Sequence, residues 1–290
     1  MSPTPASTPC PAPTVPANVL SIAGTDPTGG AGIQADLKTF GALGAYGMAV
    51  VTAVVAQNTQ AVRVVSPLAP ELVQAQLKAV FEDVAVAAVK IGMVANAGIA
   101  EAIAEVLARH RPPFVVFDPV MAASTNKRLM NESDLARIRT VLLPQVSLLT
   151  PNLKEAARLL GIAQPVDEAG MRACLPALQA LGVPNVLLKG GHLADDTPDA
   201  PESTDLLATP EGVIRLSAPR IATRHGHGTG CTLSSAIAAL WPQHGLEKAT
   251  RMAKDYVHGA LLHADALQVG HGRGPLHHFW QAVHLPGQLA

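Results

Sequence analysis

Val84-Ala85-Val86-Ala87-Ala88-Val89-Lys90-Ile91, a short break, Ala97-Gly98-Ile99-Ala100-Glu101-Ala102-Ile103-Ala104-Glu105-Val106-Leu107-Ala108-Arg109, a second break, then Phe114-Val115-Val116-Phe117: this stretch decides the fold. The outer pieces are continuous apolar runs, as in strands buried on both faces. The piece between them mixes Ala and Leu with Glu and Arg at helical spacing. The same two textures continue in both directions. Apolar runs recur at Val19–Ile22, Met48–Val55, Val146–Leu149 and Val186–Leu188. Helix-like stretches recur at Ile33–Leu43, Pro70–Phe81, Ser133–Leu143, Leu153–Leu160 and Met171–Leu181. Such alternation predicts βαβ units around a mostly parallel sheet covered by helices on both faces, an α/β class protein. Thr204–Leu207 and Gly212–Leu216 read as an edge hairpin, and helices over Thr229–Leu240 and Glu247–Gln268 close the chain. With no repeat and no linker after residue 18, residues 18–290 are expected to form a single domain. In such sheets ligands gather at the carboxyl ends of the strands, where Asp26, Gln57, Asp118, Asn152 and Lys189 fall.

Composition narrows the partners. At 290 residues and 48% hydrophobic, the chain buries a large core. A net charge of −1 argues against a nucleic-acid or anionic-membrane surface. Cys10, Cys174 and Cys231 are too few and too odd in number for a disulfide framework, which fits a reducing cytoplasm. Residues 1–17 hold six prolines and no Lys or Arg, so they read as a disordered tail and not a secretory signal.

One further segment carries chemistry: Thr223-Arg224-His225-Gly226-His227-Gly228-Thr229-Gly230-Cys231-Thr232. A glycine-dense turn running into a helix lets backbone N–H groups converge on an anion, aided by the positive helix end. It is not a Walker loop, since no Lys-Ser or Lys-Thr follows the last glycine, and Cys231 stands where the dinucleotide fingerprint needs glycine. A tight loop with Cys231 as a small packing residue is the alternative.

Ser21-Ile22-Ala23-Gly24-Thr25-Asp26-Pro27-Thr28-Gly29-Gly30-Ala31-Gly32, continuing to Phe40, and Thr52–Thr59 (TAVVAQNT) resemble the hydroxymethylpyrimidine/phosphomethylpyrimidine kinases of thiamine biosynthesis. So do Lys90-Ile91-Gly92-Met93, Asp118-Pro119-Val120-Met121, Thr150-Pro151-Asn152-Leu153, Lys189-Gly190-Gly191-His192, His227–Thr232 and Val269-Gly270-His271-Gly272. The resemblance runs in order from residue 20 to about 278. It implies a ribokinase-like three-layer αβα sandwich, ATP and Mg²⁺ as cofactors, and a cytoplasmic homodimer. Two positions depart from it. His225-Gly226 replaces the usual Asn/Asp-Thr, and Ala122-Ala123-Ser124-Thr125-Asn126 replaces the usual Val-Ala-Lys/Thr-Ser-Gly.

The resemblance also implies roles. The Gly228, Thr229, Gly230 and Cys231 amides hold the transferring γ-phosphoryl. Cys231 stands where related sugar kinases carry an aspartate base, and a helix start lowers a thiol from about 8.5 toward partial ionisation. Lys189, Asn152, Thr223 and His227 face the nucleotide. Glu155 and Asp118 organise Mg²⁺, although Asn152 and Glu155 also have the spacing of a helix capping box. Gln57 reads the aminopyrimidine edge, accepting from its 4-amino group and donating to the adjacent ring nitrogen. Gly24, Ala31 and Val55 frame the ring, and Met93 lies over it as a soft lid. Asp36 is either a substrate contact or a solvated helical carboxylate. Lys127, Arg128 and Arg224 are further cations for a phosphorylated acceptor.

The activity so implied is MgATP-dependent phosphorylation of 4-amino-5-hydroxymethyl-2-methylpyrimidine and then of its monophosphate, both in one site. The alternatives are a pyridoxal kinase of the same group and a catalytically silent pyrimidine-binding regulator.

Overall fold

The computed structural model describes residues 15–121, 131–191, 193 and 202–281. The Ala122–Asn126 departure, Lys127, Arg128, His192, Cys10 and most of the proline-rich tail lie outside them. The main sheet has eight strands in the order β10-β9-β8-β7-β6-β5-β1-β2. Strands β1 (Asn18–Ala23), β2 (Tyr46–Val51), β5 (Ala88–Ile91), β6 (Val115–Phe117), β7 (Leu148–Leu149) and β8 (Asn185–Lys189) run parallel. β9 (Glu202–Thr209) and β10 (Gly212–Pro219) form the expected antiparallel edge hairpin. A separate two-stranded sheet is built from β3 (Ala53–Gln57) and β4 (Val62–Pro67).

Strand side chains alternate between two apolar layers. Leu20, Ile22, Val89, Ile91, Val115, Phe117 and Leu149 face α2 (Pro70–Asp83), α3 (Ala97–His110), α4 (Glu132–Val141), α5 (Leu153–Leu160) and α6 (Glu168–Gln179). Val19, Ala88, Val116, Leu148 and Leu187 face α1 (Gly32–Ala42) and α7 (Thr229–Leu262). This is the three-layer sandwich that continuous apolar strands require, with each buried Val, Leu or Ile worth about 1.5–3 kcal/mol.

Three boundaries differ from the sequence reading. The apolar run Met48–Val55 is broken at Thr52, whose N–H donates to the Ala23 carbonyl at 3.0 Å and whose hydroxyl donates to the Met93 carbonyl at 2.6 Å. Upstream of Thr52 the chain joins the main sheet; downstream it leaves for the hairpin. Of Val84–Ile91 only Ala88–Ile91 is strand, because Val84 terminates α2. The last two helices meet at Gly245, which has non-helical φ 71° and ψ 176°, and the second ends at Leu262 instead of Gln268.

Helix starts differ in their caps, and Ala69 gives α2 no side-chain cap. Asn96, Asn131, Asn152 and Asp167 cap α3, α4, α5 and α6 with their side chains. The N-caps of α1 and α7, Ala31 and Gly228, supply no side-chain cap. Both of these helix starts line one cleft at the carboxyl ends of the strands.

Candidate active site

The cleft encloses about 480 Å³. One end of it is the start of α7. Gly228 sits at φ 86°, and a Cβ on it would lie 1.8 Å from the Gly30 carbonyl oxygen, so only glycine fits. The amides that follow in Thr229, Gly230 and Cys231 have no partner within the helix, as for any helix start, and no capping side chain. Directly opposite, a Cβ on Gly230 would meet Lys189 Nζ at 3.1 Å and Asp118 Oδ2 at 3.2 Å. Glycine therefore keeps open the space where a phosphoryl group can meet amides on one side and an ammonium on the other.

Lys189 donates to Asp118 Oδ1 at 2.8 Å. Burial works against the lysine charge, but Asp118 and Glu155 outweigh it and raise the ammonium's pKa. Asn152 and Glu155 form a complete capping box on α5, each side chain accepting from the other's backbone N–H. The same Glu155 lines the cleft. Burial pushes its carboxyl up to about 7, Lys189 pulls it down and the Asp118 charge adds to the rise. Among the described residues no three His, Cys, Asp or Glu side chains form a ready metal cage. Two carboxylates beside an open phosphate position still fit magnesium, which keeps much of its water and takes one or two carboxylates plus phosphate oxygens.

Cys231 departs from the expected chemistry. Its sulfur takes a hydrogen bond from the Gly32 N–H at the start of α1 and feels Lys90, yet burial outweighs both and pushes the thiol up to about 11. The helix start does not make it a ready thiolate. Asp36 also needs correction, being neither solvated nor in contact with the cleft. It is fully buried, accepts from Lys90 Nζ at 2.8 Å on both oxygens, and accepts from the hydroxyls of Ser21 at 2.6 Å and Ser235 at 2.7 Å. An unpaired carboxylate could not be held there; with four hydrogen bonds from three donors it ties β1, β5, α1 and α7 together beneath the site.

Gln57, Gly24, Ala31, Val55 and Met93 all line the cleft as well. A Cβ added to Gly24 would lie 2.3 Å from Met93 Cε, the end of a flexible side chain that would have to swing aside. Met93 lines the cleft and packs against Ala53 and Val55 of the hairpin. Gln57 ends β3, where a register shift after Ala56 pairs it with Val62.

His227 was expected at the nucleotide, but its Nε2 is committed to Asp26 Oδ2 at 2.8 Å. Asp26, 1% exposed, also accepts from Thr28 N–H and Oγ1, Gly30 N–H and Ala31 N–H. Burial acts to raise its pKa, but His227, Gln57 and Thr28 outweigh that and hold the carboxyl well below the usual range. Thr223 lines the cleft and accepts from the His225 N–H at 3.1 Å. Arg224 does not line it; its Nε donates to His225 Nε2 at 3.4 Å.

Sequence reading located Asp26 without its role and missed Lys90, Arg273 and the Asp205–Lys254 pair, all on the cleft wall. Lys254 donates to Asp205 Oδ2 at 2.6 Å, and Asp205 Oδ1 accepts the Gly190 N–H at 3.0 Å. A lysine inside the apolar Ala88–Ile91 strand was the available signal for Lys90, since such a charge demands a buried partner.

The family model for phosphomethylpyrimidine kinase matches residues 26–277. A hydroxymethylpyrimidine/phosphomethylpyrimidine kinase of Escherichia coli (strain K12) is 52% identical over 263 residues, covering 90% of this chain and 97% of that protein. A thiamine biosynthesis bifunctional protein of Geobacter sulfurreducens is 44% identical over 266 residues, covering 91% of this chain and 53% of that protein. Among solved structures, the pyridoxal kinase from Staphylococcus aureus in complex with ADP superposes with a TM-score of 0.84 at 28% identity, covering 93% of this chain and 96% of that one.

Proposed function

The chain belongs to the phosphomethylpyrimidine kinase family, and from that premise we propose that this one cleft carries both phosphoryl transfers of a ribokinase-like kinase. The activity is ATP-dependent phosphorylation of 4-amino-5-hydroxymethyl-2-methylpyrimidine and of its monophosphate in thiamine biosynthesis. The observation that carries the site assignment is the uncapped glycine start of α7 facing the Lys189–Asp118 pair in the cleft that also holds Gln57.

In this reading the Gly228–Cys231 amides take the charge that develops on the transferring group. Lys189 exchanges Asp118 for nucleotide phosphate, with Asn152 and Thr223 on the nucleotide path. Asp118 and Glu155 hold magnesium, which when bound neutralises phosphate charge. Gln57 reads the ring edge, and Gly24, Ala31 and Val55 leave a flat slot for the ring. Cys231 accepts the hydroxyl proton as the new bond to phosphorus forms. Only a small ionised fraction of so buried a thiol serves, and a loose transition state asks little of it. His227 is assigned to holding the turn instead of touching nucleotide. A cytoplasmic homodimer belongs to the same proposal, and light scattering of the purified protein tests the dimer.

The deciding experiment is steady-state kinetics with ATP and three acceptors side by side: the hydroxymethyl compound, its monophosphate and pyridoxal. Turnover of both pyrimidines with pyridoxal much slower supports the reading. Pyridoxal as the preferred acceptor overturns it, and no turnover of the monophosphate removes the second transfer.

A further inference from the structure

Two features of the sequence have no part in the mechanism above: the Val269–Gly272 motif and the His225-Gly226 departure. The fold brings them together. The segment after Val269 crosses from the hairpin to the phosphate turn. Gly272 N–H donates to Thr59 Oγ1 at 3.1 Å and Arg273 N–H to the Thr59 carbonyl at 3.0 Å, while His227 N–H donates to the Gly274 carbonyl at 3.1 Å. Thr59 lies in the turn between β3 and β4, two residues beyond Gln57. The backbone of Arg273 is thus fixed between the ring-reading hairpin and the phosphate turn.

Its side chain lines the cleft and its guanidinium stands over Gly226. A Cβ added to Gly226 would stand 2.7 Å from Arg273 Nη2, 3.3 Å from Nε and 3.4 Å from Cζ. A side chain at this position would have to displace that guanidinium; glycine admits it. The lysines of the cleft are each committed, Lys90 to Asp36, Lys189 to Asp118 and Lys254 to Asp205. Among the described residues Arg273 makes no side-chain hydrogen bond or ion pair. An uncommitted guanidinium beside an anion-holding turn is a fork shaped for two phosphate oxygens.

We propose that Arg273 receives the phosphate of the monophosphate acceptor and is a specificity-determining residue for the second transfer. The acceptor is favoured over the nucleotide because Arg273 is tied to the hairpin that carries Gln57, whereas the nucleotide cation Lys189 stands on β8. The inference rests on the reading that one cleft performs both transfers.

The test compares the parent enzyme with Arg273→Met, Arg273→Lys and Gly226→Thr, measuring kcat/KM for each acceptor, KM for ATP and melting temperature. Arg273→Met is expected to lower kcat/KM for the monophosphate about 10- to 100-fold, the size of a charge-assisted pair of hydrogen bonds. The hydroxymethyl compound and ATP should change by no more than about 3-fold. Arg273→Lys keeps the charge without the fork and should fall between. Gly226→Thr, with Arg273 intact, should show the same selective loss by displacing the guanidinium. Equal losses on both acceptors, or a loss confined to ATP, overturns the proposal. Equilibrium binding of the monophosphate to parent and Arg273→Met separates this from the underlying reading. A parent that binds but does not turn over the monophosphate refutes the second transfer. Unchanged affinity in Arg273→Met refutes the role of Arg273.

Discussion

Two glycine-dense turns open onto the cleft, and they have opposite fates. The turn before α1, residues 26–32, is filled by the chain's own anion: Asp26 takes the Gly30 and Ala31 amides that a phosphate would otherwise take. The turn before α7 has no such carboxylate, and the Thr229, Gly230 and Cys231 amides at the helix start have no partner within the helix and no capping side chain. Glycine density alone therefore does not locate a phosphate. What matters is whether a carboxylate of the protein has already occupied the turn.

The most damaging way to break this contrast is Gly228→Ala. The Cβ would press on the Gly30 carbonyl oxygen, where the two turns touch, at a φ that disfavours any side chain. Turnover of both acceptors should fall at least about 100-fold. Near-normal kinetics with either acceptor would show that the junction is not needed.

Cys231→Ala leaves the junction but removes the thiol at its lip. The hydroxymethyl compound should lose about 100-fold in kcat with little change in its Kd. The monophosphate should lose less, because a phosphate oxygen arrives already ionised. Single-turnover rates for the two acceptors decide this, and equal fractional losses would remove the base role. In the free enzyme, alkylation of Cys231 should accelerate toward pH 11 instead of levelling off near the usual thiol pKa, since burial holds the thiol there.

Asp26→Asn empties the α1 turn of its internal anion. The buried donors left facing an amide should cost roughly 2–3 kcal/mol of stability, read by denaturant unfolding at pH 7. The folded pKa of Asp26 is depressed, so its contribution is full above the unfolded value near 3.9 and is lost as pH falls below about 4. The stability gap between parent and variant should narrow in acid; a gap that stays constant from pH 7 to pH 3 contradicts the assignment.

Gln57→Leu is the mildest change. Leaving the polar ring edge unpaired should weaken pyrimidine binding by about 1–3 kcal/mol while ATP affinity holds. Calorimetric titration of each ligand separates the two, and parallel losses would point to damage in the hairpin.

The layered fold was legible because strands buried on both faces must be apolar throughout, and α5 falls on Leu153–Leu160 as read from its periodicity and its Asn152 cap. The β3–β4 hairpin was not legible: Met48–Val55 is apolar but for Thr52, and the break there is held by a hydrogen bond to Met93, 41 residues away. The same limit applied to the site. Asp118, Gln57 and Lys189 stand at strand ends, where a local pattern marks them. The buried state of Asp36 depends on Lys90, 54 residues away, and that of His227 on Asp26, 201 residues away. Burial by a distant partner leaves no local trace, so both were assigned as ligand contacts.

The strap from Gly270 to Pro275 has a further consequence, for the order in which the enzyme comes into being. Translation delivers the hairpin early, the α7 turn late and the strap later still, and folding follows the emerging chain. The sheet and both helix starts can assemble on a nascent polypeptide. The link from Thr59 through Arg273 and Gly274 to His227 waits for the final stretch. A growing chain that ends before Gly272 therefore lacks the hydrogen bonds that tie the two ends of the cleft together.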